Sequence, residues 1–290
     1  MMPANQRTLR IDAGAPVERA PDQPRHAARL LARHLVDVPP HRALVRSIES
    51  VLMGEVALRA PVLDVGCGDG HFAATAYAQR LDVGVDVRAG KGAGDHVSRS
   101  CLPAAYRALL SADAMALPFA DEAFPTVLSN SVLEHVPDLD RALREIGRVT
   151  AREGTFAFTA PSECFGDFLL GSGLLRRCGL GSLAGRYAKW FDRISAHFHR
   201  LPPEAWRARL AVAGFEVQRW QYYVSAAAHR AFDLSHYLGL PNLVCHRLTG
   251  RWVPPWGAPQ RLARWLTAHA DPSAQSAGAY LFFVCRKRMA

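Results

Sequence analysis

The chain has 290 residues, 49% hydrophobic and 21% charged, with a formal net charge of +9 at pH 7. That balance suits a globular protein with a sizeable core and excludes a disordered or fibrous chain. No apolar run approaches the roughly 18–20 residues a spanning helix needs. Six cysteines (Cys67, Cys101, Cys164, Cys178, Cys245, Cys285) are scattered without a C-x-x-C pair. They read as reduced thiols in a cytoplasmic protein, and no metal site is expected from them.

The charge is unevenly placed: residues 1–60 carry +3, residues 61–160 carry −4 and residues 161–290 carry +10. With only three lysines in the chain, the excess is arginine. It reads either as a solvated surface or as a face for an anionic substrate or lipid surface.

Residues 1–23 lack an apolar h-region, so a flexible leader is expected there, not a signal peptide. Residues 24–38 place Leu30, Leu31, Leu35 and Val36 on one helical face. Pro39-Pro40 breaks that helix, and residues 41–58 form a second through Leu44, Ile48, Val51 and Leu52.

Residues 61–70 read Pro-Val-Leu-Asp-Val-Gly-Cys-Gly-Asp-Gly. Val62, Leu63 and Val65 make a buried parallel strand that the glycines end. Residues 71–80 carry Phe72, Ala73, Ala76 and Tyr77 at helical spacing. Strand, glycine loop and helix together make a nucleotide-type site, because the loop leaves no Cβ in the way and the helix start offers free N–H groups. A glycine-rich turn without a ligand is the alternative. A dinucleotide fingerprint would place its third glycine at position 71, where this chain has His71. Asp64, two residues before Gly66, suits a ligand that carries an ammonium group.

The pattern acidic-x-Gly-x-Gly-x-Gly from Asp64 to Gly70 resembles the first motif of the class I S-adenosylmethionine-dependent methyltransferases. Further along, residues 81–87 read as the second strand. Asp86 at its end can accept both ribose hydroxyls of an adenosine, or act as a capping aspartate. Residues 88–100 read as a polar loop, with a short helix from Leu102 and a third strand over 106–112. Asp113 can then accept an adenine amine, while Ala114 or Met115 supplies an N–H and an apolar contact. The run Asp-x-x-x-Leu-Pro-Phe over 113–119 is also similar to the family.

Residues 124–130 read as the fourth strand, where Pro125 belongs at the first position or on an unpaired edge. The following Leu133-Glu134-His135-Val136 resembles the family segment that lies between methyl donor and acceptor. His135 is the candidate general base, and an ordinary structural histidine is the alternative. Glu134 reads as a helix-proximal cap or an ammonium contact. Asp138 caps a helix over 139–149, and Arg152-Glu153-Gly154 turns the chain into a fifth strand at 155–159.

Beyond Pro161 the cofactor pattern stops. Residues 161–200 mix apolar and basic side chains, as expected of a lid-like insertion or of a surface resting on a membrane. His197 and His199 form a pair with no acidic or cysteine partner at ligand spacing. A helix from Pro202 to Ala213, a strand over 215–224, a second insertion over 226–276 and a last strand over 279–285 complete the chain.

The resemblance implies an α/β fold. A doubly wound, seven-stranded, mostly parallel sheet of Rossmann-like methyltransferase type would carry N-terminal helices, two helical insertions and an antiparallel last strand within one domain over 24–290. Its cofactor-binding core would be residues 61–160. It also implies methyl transfer from S-adenosyl-L-methionine to an oxygen, nitrogen or carbon nucleophile, releasing S-adenosyl-L-homocysteine. On that reading Asp64 and the backbone of Gly66, Cys67, Gly68 and Gly70 hold the methionine portion. Asp86 and Val87 flank the ribose, Asp113, Ala114 and Met115 the adenine, and Asn130 and Ser131 border the methyl. The aromatic, apolar and arginine content of the insertions suggests a small hydrophobic or amphipathic acceptor, lipid-linked or anionic, with a peripheral membrane contact as a further role. No nucleic-acid partner is expected, since the Asn/Asp-Pro-Pro-Tyr/Phe signature is absent after the fourth strand. The alternative is a cofactor-binding protein without methyl transfer, either a nicotinamide oxidoreductase or a non-catalytic regulator.

Overall fold

The computed structural model describes residues 23–87, 105–238, 240–249, 253 and 257–289. The expected leader, the loop over 88–100, the start of the helix at Leu102, and Trp252, Pro254, Pro255 and Trp256 lie outside these residues. Two helices, α1 (Gln23–His34) and α2 (Pro40–Gly54), lead into β1 (Val62–Val65), α3 (His71–Ala76), β2 (Leu81–Asp86) and β3 (Tyr106–Ser111). After β4 (Phe124–Asn130) and a 3-10 turn (Leu133–His135) come α4 (Leu139–Val149) and β5 (Thr150–Pro161). The first insertion holds α5 (Phe165–Phe168), α6 (Leu170–Arg177) and α7 (Gly181–Ser195), and α8 (Pro203–Val212) leads into β6 (Phe215–Tyr223). The second insertion holds α9 (Ala226–Leu238), α10 (Leu240–Thr249) and α11 (Gln260–Thr267) before β7 (Tyr280–Lys287).

The seven strands form one sheet in the order β3-β2-β1-β4-β5-β7-β6. Pairing is parallel from β3 through β5, and β7 runs antiparallel to both β5 and β6. This is the expected doubly wound sheet. Its order reverses between β1 and β4, where open α/β sheets leave a crevice outside the carboxyl ends of their strands.

Alternation along β7 divides the core between the two faces. Leu281, Phe283 and Cys285 pack with α4 and α8, while Tyr280 and Phe282 pack with α1, α2 and α9. On the first face, Phe158 stacks on Phe283 at 5.0 Å between ring centroids and meets Trp206 at 4.9 Å. Asp138 caps α4 as expected, accepting the Arg141 N–H at 2.9 Å.

Two local expectations change. Pro125 lies in a central strand, between β1 and β5, not at an edge. It is accommodated because the register jumps from Phe124 opposite Thr150 to Thr126 opposite Thr155, so no ladder bond is asked of it. The turn at Arg152-Glu153-Gly154 survives as the bulge in β5 that makes this jump, with Glu153 left-handed at φ 57°. Helix α3 stops at Ala76 rather than near Arg80. The chain must return to start β2 at Leu81, which pairs with Tyr106.

Trp206 is fully buried, and its indole N–H has no hydrogen-bond partner. Its contribution is therefore apolar packing alone. Trp206→Ala should cost about 3–5 kcal/mol in denaturant unfolding, whereas Trp206→Phe should cost well under half of that.

Candidate active site

All three loop glycines are left-handed, with φ of 82° at Gly66, 53° at Gly68 and 75° at Gly70. At Gly66 the requirement is also steric, since a Cβ would lie 2.3 Å from Cγ2 of Val132. The loop is thus pressed against the segment that follows β4. A Cβ at Gly68 would meet nothing within 4 Å, so this part of the loop is open. Gly66 and Cys67 donate their N–H groups to the Val85 carbonyl at 2.8 and 3.0 Å, which ties the loop to β2.

Asp86 sits at the end of β2, and its Oδ2 accepts the Gly68 N–H at 3.2 Å. Val87 beside it is 56% exposed, an apolar side chain left uncovered at the mouth. Asp64 is buried on β1 and accepts the Tyr106 hydroxyl. Burial pushes its carboxyl up to about 6, against the Tyr106 hydrogen bond, with Asp86 adding repulsion. Burial likewise pushes the Cys67 thiol up, so it stays protonated.

His71, at the position a dinucleotide loop would fill with glycine, is turned away from the loop. Its Nε2 lies 2.9 Å from Nδ1 of His34, and Nε2 of His34 lies 3.0 Å from the Ser50 hydroxyl. Burial and Arg46 hold His34 down at about 2 and lower His71, so both rings are neutral packing groups at pH 7.

Beyond β3, Asp113 is exposed and its Oδ1 accepts the Met115 N–H at 2.8 Å. The Met115 N–H expected to serve adenine is therefore already satisfied. The side chains of Asn130 and Ser131 are committed as well. Asn130 donates to Glu49 Oε2 at 2.9 Å, Ser131 donates to Glu49 Oε1 at 2.8 Å, and Thr159 donates to Asn130 Oδ1 at 2.9 Å. Glu49, on α2, also accepts the Tyr223 hydroxyl at 2.9 Å. Sequence reasoning missed Glu49. Its signal was present, a glutamate set within the stripe of Val45, Ile48, Leu52 and Met53.

The 3-10 turn after β4 brings Glu134 and His135 to the same edge. Glu134 is 2% exposed, and Oε2 has no hydrogen-bond partner. Burial and the nearby Glu49 push its carboxyl up to about 8. His135 is 43% exposed; its Nδ1 donates to the Ala196 carbonyl at 3.0 Å, which leaves Nε2, 3.9 Å from Glu134 Oε1, as the basic nitrogen. Phe198 donates its N–H to the Glu134 carbonyl at 2.8 Å, and His199 Nε2 bonds the Val136 carbonyl at 2.8 Å. The end of the first insertion is thereby stitched onto the turn.

That stitching corrects one expectation. His197 does have an acidic neighbour, which spacing along the chain does not reveal. Ligand atoms of Glu134, His135 and His197 all lie within 4.8 Å of one another. Burial holds the His197 ring neutral, down at about 3, with His135 and Arg200 adding to the effect.

Residues 63–158 match the family model described as a methyltransferase domain. That stretch, about a third of the chain, is similar in sequence to class I S-adenosylmethionine-dependent methyltransferase domains. A malonyl acyl-carrier-protein O-methyltransferase of Geobacter sulfurreducens is 35% identical over 131 residues, covering 43% of this chain and 46% of that protein. A demethylmenaquinone methyltransferase of Roseiflexus castenholzii is 39% identical over 113 residues, covering 35% of this chain and 45% of its own. The chain thus spans about half the length of the curated relatives it matches. Among solved structures, the 4+2 cyclase SpnF aligns over 84% of this chain and 82% of its own, with 21% identity and a TM-score of 0.50. That likeness is one of fold, and the cyclase name shows why fold alone does not fix the reaction.

Asp64 supplies a prediction about stability at this glycine loop. Its folded carboxyl lies above the ordinary range near 3.9. The burial penalty is therefore absent below about pH 4 and fully present above about pH 6. Asp64→Asn should flatten that fall in stability and raise stability at pH 7 by up to about 3 kcal/mol. Thermal melts from pH 4 to 8 measure this, and a lower melting point at pH 7 would show that the carboxylate stabilises the loop.

Proposed function

We propose that this protein transfers a methyl group from S-adenosyl-L-methionine to an oxygen, nitrogen or carbon nucleophile of a small hydrophobic or amphipathic acceptor. The observation that carries the reading is the left-handed glycine loop with the Asp86 carboxylate on the Gly68 N–H, open at Gly68 and placed at the sheet's crevice. The cofactor fits these residues. Asp64 suits its ammonium group, Asp86 its ribose hydroxyls, and exposed Val87 with part-buried Ala114 and Met115 an adenine ring. When bound, S-adenosyl-L-methionine supplies the electrophilic methyl, so the chain has to orient both reactants and manage one proton. His135 Nε2 is the group for that proton, its tautomer fixed by the bond from Nδ1 to Ala196.

The acceptor reading rests on the first insertion. Leu174, Leu180, Leu183, Trp190 and Ile194 are exposed there among the exposed Arg176, Arg177, Arg186, Lys189 and Arg193. Such a surface suits an acceptor with an apolar body and an anionic group, or the headgroup layer of an anionic membrane. The relatives' names, malonyl acyl-carrier protein and demethylmenaquinone, are in keeping with such acceptors. Among the described residues no helix is long and apolar enough to cross a membrane.

Thermal-shift titration tests the cofactor. S-adenosylhomocysteine at about 100 times its dissociation constant should stabilise by roughly 2.7 kcal/mol and raise the midpoint by several degrees. The gain should shrink in Asp86→Ala, and NAD should give none. A shift with NAD alone would favour an oxidoreductase, and no shift with either would favour a non-catalytic protein. For the surface, cosedimentation with vesicles rich in phosphatidylglycerol should exceed that with neutral vesicles. Binding should fall about tenfold in the pair Arg176→Glu with Arg186→Glu, and equal binding to both vesicles would remove the membrane role.

A further inference from the structure

We infer that Glu134, His135 and His197 form a binding site for one divalent transition-metal ion of the zinc, cobalt or iron class, at the acceptor end of the crevice. Two imidazoles and one carboxylate are a donor set that such ions accept, with coordination positions left over for a substrate. The three ligand atoms lie within 4.8 Å of one another. Binding at bond lengths of about 2.0–2.2 Å would draw them to about 3 Å apart.

Three observations beyond proximity point to a ligand. Glu134 Oε2 is buried, and no donor reaches it. The ring nitrogens are also sorted as they would be for an ion. Nδ1 of His135 is held by the Ala196 carbonyl, which leaves Nε2 on the side of Glu134. Nδ1 of His197 is buried without a hydrogen-bond partner, Asp192 Oδ1 lying 3.9 Å away, beyond hydrogen-bond reach. The backbone carbonyl behind His135 is the kind of outer partner that orients a metal-binding histidine. Third, the backbone of both segments is pinned, Phe198 to Glu134 and His199 to Val136. His199 itself is occupied by that bond and is no part of the site.

With an ion bound, His135 Nε2 holds the metal and not a proton. On the methyl-transfer reading, and resting on it, the ion would lower the pKa of an acceptor hydroxyl and fix its oxygen before attack. The binding site itself does not depend on that reading.

The test uses the untagged full chain, stripped with chelator, and two probes, cobalt(II) followed by visible absorption and zinc(II) followed by calorimetry. The expected result is one ion per chain, with affinity reduced at least tenfold in His197→Gln and in Glu134→Gln and unchanged in His199→Gln. Should His197→Gln fail to fold, His135→Gln, altered at a half-exposed position, carries the same expectation. No binding at micromolar metal, or full affinity in either histidine variant, would overturn the inference. S-adenosylhomocysteine is titrated separately into the stripped protein. Its failure to bind would count against methyl transfer while leaving the metal result standing.

Discussion

The carboxylate of Glu49 is the interaction on which the crevice depends. It is 1% exposed and accepts from Asn130 at the end of β4, Ser131 just beyond it, and Tyr223 at the end of β6. A carboxylate in the interior is costly to hold there, so its donors have to be in place together. Helix α2, the centre of the sheet and its far edge are thereby fixed relative to one another. Ser131 shows the demand that this makes on the backbone, for it is held left-handed at φ 53° with its N–H on the Thr159 hydroxyl.

Everything downstream inherits that position. Val132 follows Ser131 and fills the space where Gly66 would carry a Cβ, so the end of β4 sets the path of the glycine loop. The turn of Glu134 and His135 comes next, and the first insertion closes onto it through one backbone bond and two histidine side chains that bond backbone carbonyls. On the methyl-transfer reading, the protein is asked chiefly for this sort of placement, because the driving force resides in the sulfonium cofactor.

The charge distribution follows the same division. Asp64, Asp86 and Asp113 belong to the acidic segment that forms the glycine loop and the strands around it, whereas the basic excess sits in residues 161–290. On the proposed reading, that basic, apolar-rich surface gives acceptors with an anionic head and an oily body somewhere to rest.

The sheet was legible in the sequence because its parallel strands are short runs rich in Val, Leu and Phe that stop at glycine, aspartate or asparagine. Val62–Val65, Leu81–Asp86 and Phe124–Asn130 all fall where those runs lie. Helix α4 was legible through its aspartate cap and its apolar spacing. The glycine loop was readable because only glycine tolerates three left-handed positions so close together. What the sequence by itself determined is thus local: period, punctuation and backbone freedom. Tertiary structure alone decided the rest. Glu49 reaches Tyr223 across 174 residues, His71 pairs with His34 instead of bordering a ligand, and Pro125 escapes the ladder only because β5 bulges opposite it. His197 meets Glu134 only because α7 ends against the turn after β4. These are pairings between distant segments, and spacing along the chain carries no trace of them.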